Sequence, residues 1–338
     1  MKHKIALLGF GTVGQGLCEI LTDKKGYLKK KYGFEYDIVA VGDMVYGNVY
    51  NPDGLDIDQM LKDAKEKKKF SSDMTAWDNI ALIKESNATV VCELTYTDLE
   101  TGGPAVAHCR AALEAGKHVV TSNKGPAALK YNEMKKLADE KGVQFLIEGT
   151  VCSGTPILNL ADGPLAGCEI TAIRGILNGT TNYMLTEMEK GMAYNDVLKI
   201  AQDLGYAEAD PTGDVEGHDA RGKVTILANV VMGASLAISD VSCKGITGIT
   251  PEDIDKAKQQ NARWKLIGSV EKKDGKIHAS VAPEMVPLTH PLAGVMGATN
   301  ALTFTTDLLG DVTMVGPGAG RIETGYSILT DMINIHRS

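Results

Sequence analysis

KIALLGFGTVG, residues 4–14, decides the fold. Lys4-Ile5-Ala6-Leu7-Leu8 is a short apolar run of the kind that forms a buried strand. Gly9-Phe10-Gly11-Thr12-Val13-Gly14 follows without a spacer, and Gln15 to Thr22 has helical spacing. This is G-x-G-x-x-G in the strand-turn-helix setting that gives the motif its meaning. Gly9 permits the tight turn, Gly11 lets a pyrophosphate approach the backbone, and Gly14 lets helix and strand pack closely. Thr12 and Val13 lie in the turn that leads into the helix, whose N-terminal N–H groups face the phosphates. A dinucleotide is therefore the expected ligand of Gly9, Gly11, Thr12, Val13 and Gly14.

The pattern beyond this turn extends the same fold. Asp37 to Val41 reads as a second strand, with a loop from Lys24 to Tyr36 leading into it. Ala88 to Thr95, Lys117 to Thr121 and Val143 to Ile147 read as further strands. Helical patterns at 104–115 and 131–141 alternate with them. Such alternation predicts an α/β domain of the Rossmann type, a doubly wound parallel sheet with helices on both faces. The polar segment 46–78 reads as helix and loop. After Gly149 the chain changes texture, with glycine and proline clusters followed by long helices and short strands. That predicts an α+β substrate and dimerisation domain, an open sheet covered by helices. The expected boundaries are 1–147 for the nucleotide domain and 148–315 for the second. A glycine-rich turn and helix at about 316–338 is expected to return to the first.

Asp43 stands where the second strand ends, suited to accept hydrogen bonds from the ribose hydroxyls of NAD. Met44 follows it, and a methionine cannot hold the 2′-phosphate of NADP. Both cofactors are expected to be accepted, with NAD preferred. The lysines between Lys62 and Lys69 are the cations that could reverse this by folding back.

The second informative stretch is GYAEADPTGDVEGHDARGK, residues 205–223. It carries Glu208, Asp210, Asp214, Glu216 and Asp219, then Arg221 and Lys223. Asp219 and Lys223 are four apart and share a face if the segment is helical. Carboxylates facing an ammonium suit a small zwitterion, with acids at its amine and a lysine near its reacting oxygen. A structural ion-pair network has the same charge count, and the residues alone leave both readings open.

The bulk properties exclude several classes. The chain has 338 residues, 43% hydrophobic and 23% charged, which is ordinary for a soluble enzyme of about two domains. A net charge of −8 gives no footprint for nucleic acid. No apolar run approaches a membrane span, and the N-terminus enters a strand directly, with no room for a signal peptide. Six cysteines without a C-x-x-C pair fit reduced thiols in a cytoplasmic protein. Cys152, in Val-Cys-Ser-Gly-Thr-Pro, is the one candidate for a reactive thiol. The seven histidines lack paired ligand spacing for a transition metal.

Four motifs together, GFGTVG at 9–14, SNKGP at 122–126, GILNGTTNY at 175–183 and the acidic stretch at 205–223, resemble homoserine dehydrogenase. The resemblance runs from Ile5 to the C-terminal helix. It implies NAD(P)-dependent hydride transfer between L-homoserine and L-aspartate 4-semialdehyde, a step toward threonine, methionine and isoleucine. It also implies a homodimer or larger homo-oligomer. By resemblance Lys223 is the catalytic lysine and Lys124 a second lysine near the nicotinamide. Glu208 grips the substrate, with Asp214 and Asp219 as acidic neighbours, and Gly179, Thr180 and Tyr206 touch it. Thr95, Ser122 and Gly318 join the cofactor set. Glu148, Val151, Ser153 and Thr155 match a monovalent-cation site for Na+ or K+. Two lysines converging on one site would depress each other's pKa, whereas Asp219 pulls the other way. The competing readings are a dehydrogenase of another small amino-acid alcohol and a nucleotide-sensing protein without turnover.

Overall fold

The computed structural model describes residues 2–338, which divide into two compact units: 2–154 with 320–338, and 155–319. In the first unit the elements run β1 (Lys2–Leu8), α1 (Thr12–Tyr32), β2 (Glu35–Asp43), β3 (Gly47–Tyr50), α2 (Ile57–Lys65), α3 (Asn79–Glu85), β4 (Val90–Glu93), α4 (Gly103–Glu114), β5 (His118–Thr121), α5 (Lys124–Lys141) and β6 (Phe145–Leu146). The sheet order is β3-β2-β1-β4-β5-β6. All pairs are parallel except the β2–β3 hairpin. The strand order reverses between β1 and β4, the switch point outside which doubly wound sheets bind their ligands.

Two local expectations need correction. The segment expected to be a loop from Lys24 is helix to Tyr32, because Leu28 is buried and Gly33, with φ of 69°, closes the helix in the left-handed region. Polar residues at 22–26 conceal that continuity. The segment 46–78 holds a strand, β3, as well as helix. Its Val49 is buried against the core.

The second unit contains α6 (Ile157–Asp162), β7 (Ile170–Ile176), α7 (Gly179–Met188), α8 (Tyr194–Asp203), α9 (Thr212–Val215), α10 (His218–Val230), β8 (Ser242–Cys243), α11 (Pro251–Gln259), β9 (Ala262–Lys273), β10 (Lys276–Pro287), β11 (Thr299–Thr306) and β12 (Gly310–Pro317). Its sheet order is β12-β11-β7-β9-β10-β8, antiparallel except for β10 with β8. The long strand β9 has no counterpart in the sequence reading. It is a central strand, paired on both sides by β7 and β10, and that pairing overrides its charged ends.

The last helix, α12 (Arg321–Arg337), belongs to the first unit. Its Ile328, Leu329, Met332 and Ile335 are buried in one cluster with Leu7, Leu17, Leu21 and Ile38. The crossing of α1 and α12 is close. A β-carbon on Gly16 would stand 2.2 Å from the Arg321 carbonyl oxygen, and one on Gly325 2.6 Å from the Leu17 nitrogen. The Arg321 guanidinium grips the Glu19 carboxylate through two nitrogens at the same crossing.

Candidate active site

In the first unit, the glycine turn meets the geometric demands of a dinucleotide. Gly9 has φ of 99°, and a β-carbon there would lie 2.6 Å from the Leu94 carbonyl oxygen. Gly14 packs as tightly on the Gly9 carbonyl, whereas Gly11 has nothing within 4 Å of a β-carbon. Gly11 is also the residue preceding α1, and no side chain caps that helix end. The open space and the uncapped N–H groups are what a pyrophosphate requires. Thr12 is exposed and Val13 half-buried at the same end.

Asp43 does more than its sequence position indicates. Its carboxylate accepts the Phe10 N–H at 2.7 Å, the Val45 N–H at 2.8 Å and the Tyr46 N–H at 3.1 Å. It therefore ties the end of β2 to the glycine turn. Beside it lies a cavity of about 400 Å³ lined by Asp43, Met44, Asn48, Asp78, Asn79 and His108, with Ile80. The lining holds two carboxylates and no lysine or arginine. Of the lysines between Lys62 and Lys69, Lys68 pairs with Glu66 and Asp63.

A buried chain of polar groups runs inward from the cavity wall. Asn79 meets His108 Nε2 at 3.4 Å, and His108 Nδ1 meets the fully buried Glu93 carboxylate at 3.2 Å. Thr95 donates to the same carboxylate at 2.5 Å. The carbonyls of Thr95 and Tyr96 hold the Asn123 amide, and Asn123 caps α5, whose first residue is Lys124. Thr95, Ser122 and Lys124 thus share the carboxyl edge of the sheet around β4 and β5.

In the same unit Glu148 is buried, and its N–H donates to Asp331 at 3.0 Å. Val151 is buried, and Cys152 and Ser153 both adopt left-handed φ, 56° and 54°. The Ser153 hydroxyl bonds Thr324 at 2.7 Å. Cys152 is buried, which removes the access a reactive thiol needs.

In the second unit, the acidic stretch separates into supporting and facing groups. Asp210 closes its own turn onto the Thr212 N–H. The Glu216 carbonyl bonds Cys243. Gly217, with φ of 82°, turns the chain from α9 into α10, which brings Asp214 and Asp219 round to one cluster. Lys223 is buried, and its ammonium donates to Asp219 Oδ2 at 2.7 Å and to the Leu177 carbonyl at 2.7 Å. The predicted four-residue pairing is therefore present.

Asn178, which sequence reasoning passed over, binds the cluster together. Its amide donates to Asp214 Oδ1 at 2.6 Å and to Asp219 Oδ2 at 3.0 Å. Its oxygen accepts the Thr181 N–H at 2.9 Å and so caps α7. The usable signal was an asparagine directly before Gly179-Thr180, a preferred helix N-cap. Burial raises the Asp214 carboxyl above its ordinary pKa, and the Asp219 charge adds to the rise; the Asn178 bond acts against both. Counted as ionised, two carboxylates and one ammonium leave one negative charge, so the cluster is complementary to a further cation.

The remaining predicted residues take varied places. Gly179 begins α7, and Thr180 donates to the Tyr206 carbonyl at 2.5 Å. Tyr206 is half-exposed and packs on Tyr183, with ring centroids 5.1 Å apart. Glu208 is exposed, and its carboxylate bonds no described residue, so the structure does not join it to the Asp214–Lys223 cluster. Thr155 donates to the Pro317 carbonyl, and Gly318 packs on the Asn300 side chain.

A nucleotide-binding sheet in one unit, and in the other a buried lysine held by the Asp219 carboxylate and the Leu177 carbonyl, fit a nicotinamide-dependent oxidoreductase. Comparison with known proteins narrows the class. Residues 9–148 match the NAD binding domain of homoserine dehydrogenase, and residues 156–333 match homoserine dehydrogenase itself. The NAD(+)-dependent homoserine dehydrogenase of Pseudomonas canavaninivorans is 48% identical over 100% of this chain and 97% of its own. The crystal structure of a putative homoserine dehydrogenase from Archaeoglobus fulgidus superposes with a TM-score of 0.90 at 38% identity, covering 99% of each chain. A hyperthermophilic archaeal homoserine dehydrogenase in complex with NADPH superposes at 0.85, with 31% identity over 99% of this chain and 98% of that one. The chain belongs to the homoserine dehydrogenase family, and its reaction is the interconversion of L-homoserine and L-aspartate 4-semialdehyde. Among the described residues no helix is long and apolar enough to cross a membrane.

Proposed function

We propose that the Asp214–Asn178–Asp219–Lys223 cluster holds homoserine, with its ammonium toward the carboxylates and its hydroxyl at Lys223. The observation that carries this is the shared Asp219 oxygen, which takes both the Lys223 ammonium and the Asn178 amide. NAD(P), which Gly9, Gly11 and Gly14 would hold at the glycine turn, would supply the hydride acceptor in one direction and the hydride donor in the other. Lys223, as the neutral amine, takes the hydroxyl proton as hydride leaves and becomes the ammonium, which returns that proton when the aldehyde is reduced. Asp219 and the Leu177 carbonyl keep the nitrogen in place through that exchange. Gly179, Thr180 and Tyr206 form the adjoining contact surface, and Glu208 closes on the substrate from its exposed position. Lys124, at the sheet edge with Thr95 and Ser122, acts beside the nicotinamide.

The same reading assigns the adenosine end of the cofactor to the cavity beside Asp43. The Asp43 carboxylate offers roughly four acceptor directions, and three backbone bonds leave it capacity for a ribose hydroxyl. A 2′-phosphate there would face Asp43 and Asp78 with no lining cation. NAD is therefore the preferred cofactor, and the naming of the Pseudomonas relative agrees. Because a family member is known with NADPH, both are accepted. Steady-state reduction of NAD and of NADP at saturating L-homoserine, with other amino-acid alcohols as controls, tests substrate and cofactor together. Met44→Arg places a guanidinium at the cavity mouth and should move the kcat/KM ratio toward NADP by about tenfold, or ~1.4 kcal/mol. An NADP preference in the unaltered protein would overturn the assignment.

A monovalent cation, Na+ or K+, fits the turn at Glu148, Val151 and Ser153. Two consecutive left-handed residues redirect the carbonyls there, and the Ser153 hydroxyl is already committed to Thr324. The Thr155 carbonyl accepts the Ile157 N–H. The family resemblance further supports a homodimer in the cytoplasm. Sedimentation at micromolar concentration should show twice the 36.0 kDa chain mass, and a clean monomer would remove that proposal.

A further inference from the structure

Lys265 is a fully buried lysine that the proposed chemistry does not use. It lies on β9, and its ammonium donates to the Asn182 side-chain oxygen at 2.9 Å and to the Val295 carbonyl at 2.5 Å, with the Met296 sulfur at 3.7 Å. Asn182, on α7, spends its amide on three carbonyls of one loop: Val295 at 3.2 Å, Gly297 at 2.8 Å and Thr299 at 3.1 Å. Thr186, one turn further along α7, accepts the Gly297 N–H at 3.0 Å. The loop 295–299 is therefore clamped from two sides, by β9 and by α7.

The clamped loop bears on the start of α7. A β-carbon on Gly179 would stand 2.7 Å from the Ala298 carbonyl oxygen, so the loop rests directly on that residue. The neighbour of Gly179 is Asn178, which bridges Asp214 and Asp219. Before it comes Leu177, whose carbonyl holds Lys223. A shift of the loop is transmitted through Gly179 to Leu177, whose carbonyl holds the Lys223 nitrogen, and to Asn178, which holds its partner Asp219.

We propose that Lys265 is a positioning residue for homoserine oxidation, acting through the 295–299 loop and Gly179 to hold Asn178 and the Leu177 carbonyl in register with Lys223. The inference rests on the reading of that cluster as the substrate site.

Holding this charge inside the fold costs stability. Burial pulls the Lys265 ammonium down from 10.5 to about 8, while Glu189 nearby favours the charge and Arg263 opposes it. The folded pKa is the lower one, so the cost is fully present below about pH 8. It fades as the pH rises to the unfolded value. A group retained purely for stability would have the opposite sign; removing this charge relieves its desolvation but leaves the Asn182 oxygen without its donor.

The test is Lys265→Met, which keeps the length of the side chain and removes the charge. The melting temperature should change little, because the relieved desolvation of the charge offsets the unpaired Asn182 oxygen, and the KM for NAD should stay within about twofold. The kcat for homoserine should fall about tenfold, since small misplacements of reacting groups carry large rate costs. Full kcat in folded Lys265→Met would overturn the proposal. So would a fall in kcat matched by equal losses in melting temperature and NAD affinity, which marks general damage. Should Lys265→Met fail to fold, Thr186→Val frees the Gly297 N–H with Lys265 in place. It should lower kcat with the KM for NAD unchanged, and unaltered kcat there would overturn the clamp. Activity surviving in Lys223→Ala would instead indict the site reading, so the two failures are separable.

Discussion

Lys223→Ala should lower kcat for homoserine oxidation by about 10² to 10⁴, the usual worth of a positioned acid-base group. Its ammonium lies 2.7 Å from both Asp219 and the Leu177 carbonyl, so alanine removes the proton carrier and leaves both acceptors without it. Asn178 still donates to Asp219, which limits the cost in folding. NADH binding, followed by fluorescence, should be nearly unchanged, because the nucleotide turn is built from other residues. More than half of the original turnover would remove Lys223 from the chemistry.

Asn178→Asp should be as damaging, although the two side chains are almost the same size. The Asn178 nitrogen sits 2.6 Å from one carboxylate and 3.0 Å from another. Replacing it with an oxygen sets three carboxyl groups within hydrogen-bonding distance, and like charges so placed cannot all remain ionised. One takes up a proton, and the others swing apart or draw Lys223 off its position. The expected loss in kcat/KM for homoserine is about 10²-fold or more. Asn178→Ala separates the contributions. It removes the cap of α7, worth about 1 kcal/mol, and the bond that holds the Asp214 pKa down. The Asp214 pKa, already raised by burial, then rises further. Since gripping an ammonium requires the ionised form, the acid limb of kcat/KM should move to higher pH. A limb that stays in place, or moves down, would show that Asp214 ionisation in the free enzyme does not govern homoserine capture.

The legibility of this molecule in its sequence follows the range of the interactions. The glycine turn and the Asp219–Lys223 pair are local, so spacing alone places them. Helix α1 was cut short because lysines at 24 and 25 with Gly26 conceal a helix whose stop is Gly33. Strand β9 was invisible because its identity comes from partners on both sides, β7 and β10, that are distant in the chain. Asn178 escaped for a related reason. A single amide announces nothing until the fold sets two carboxylates against it. Glu208 is the reverse case, prominent in sequence yet unattached to the cluster in the folded chain. Asp43 stood at its expected place but with an added task, since three backbone N–H groups occupy most of its carboxylate.

The return of α12 to the first unit has a consequence for how the protein is made. Ile328, Leu329, Met332 and Ile335 fill the same core as Leu7 and Leu17, so that core is incomplete until α12 has been synthesised. At typical elongation rates of about 5 to 20 residues per second, the segment 155–319 takes roughly 10 to 30 s to emerge. For that interval the nascent nucleotide-binding unit waits on the ribosome with an apolar groove along α1, a surface open to chaperones and to misassembly with neighbouring chains on the same message.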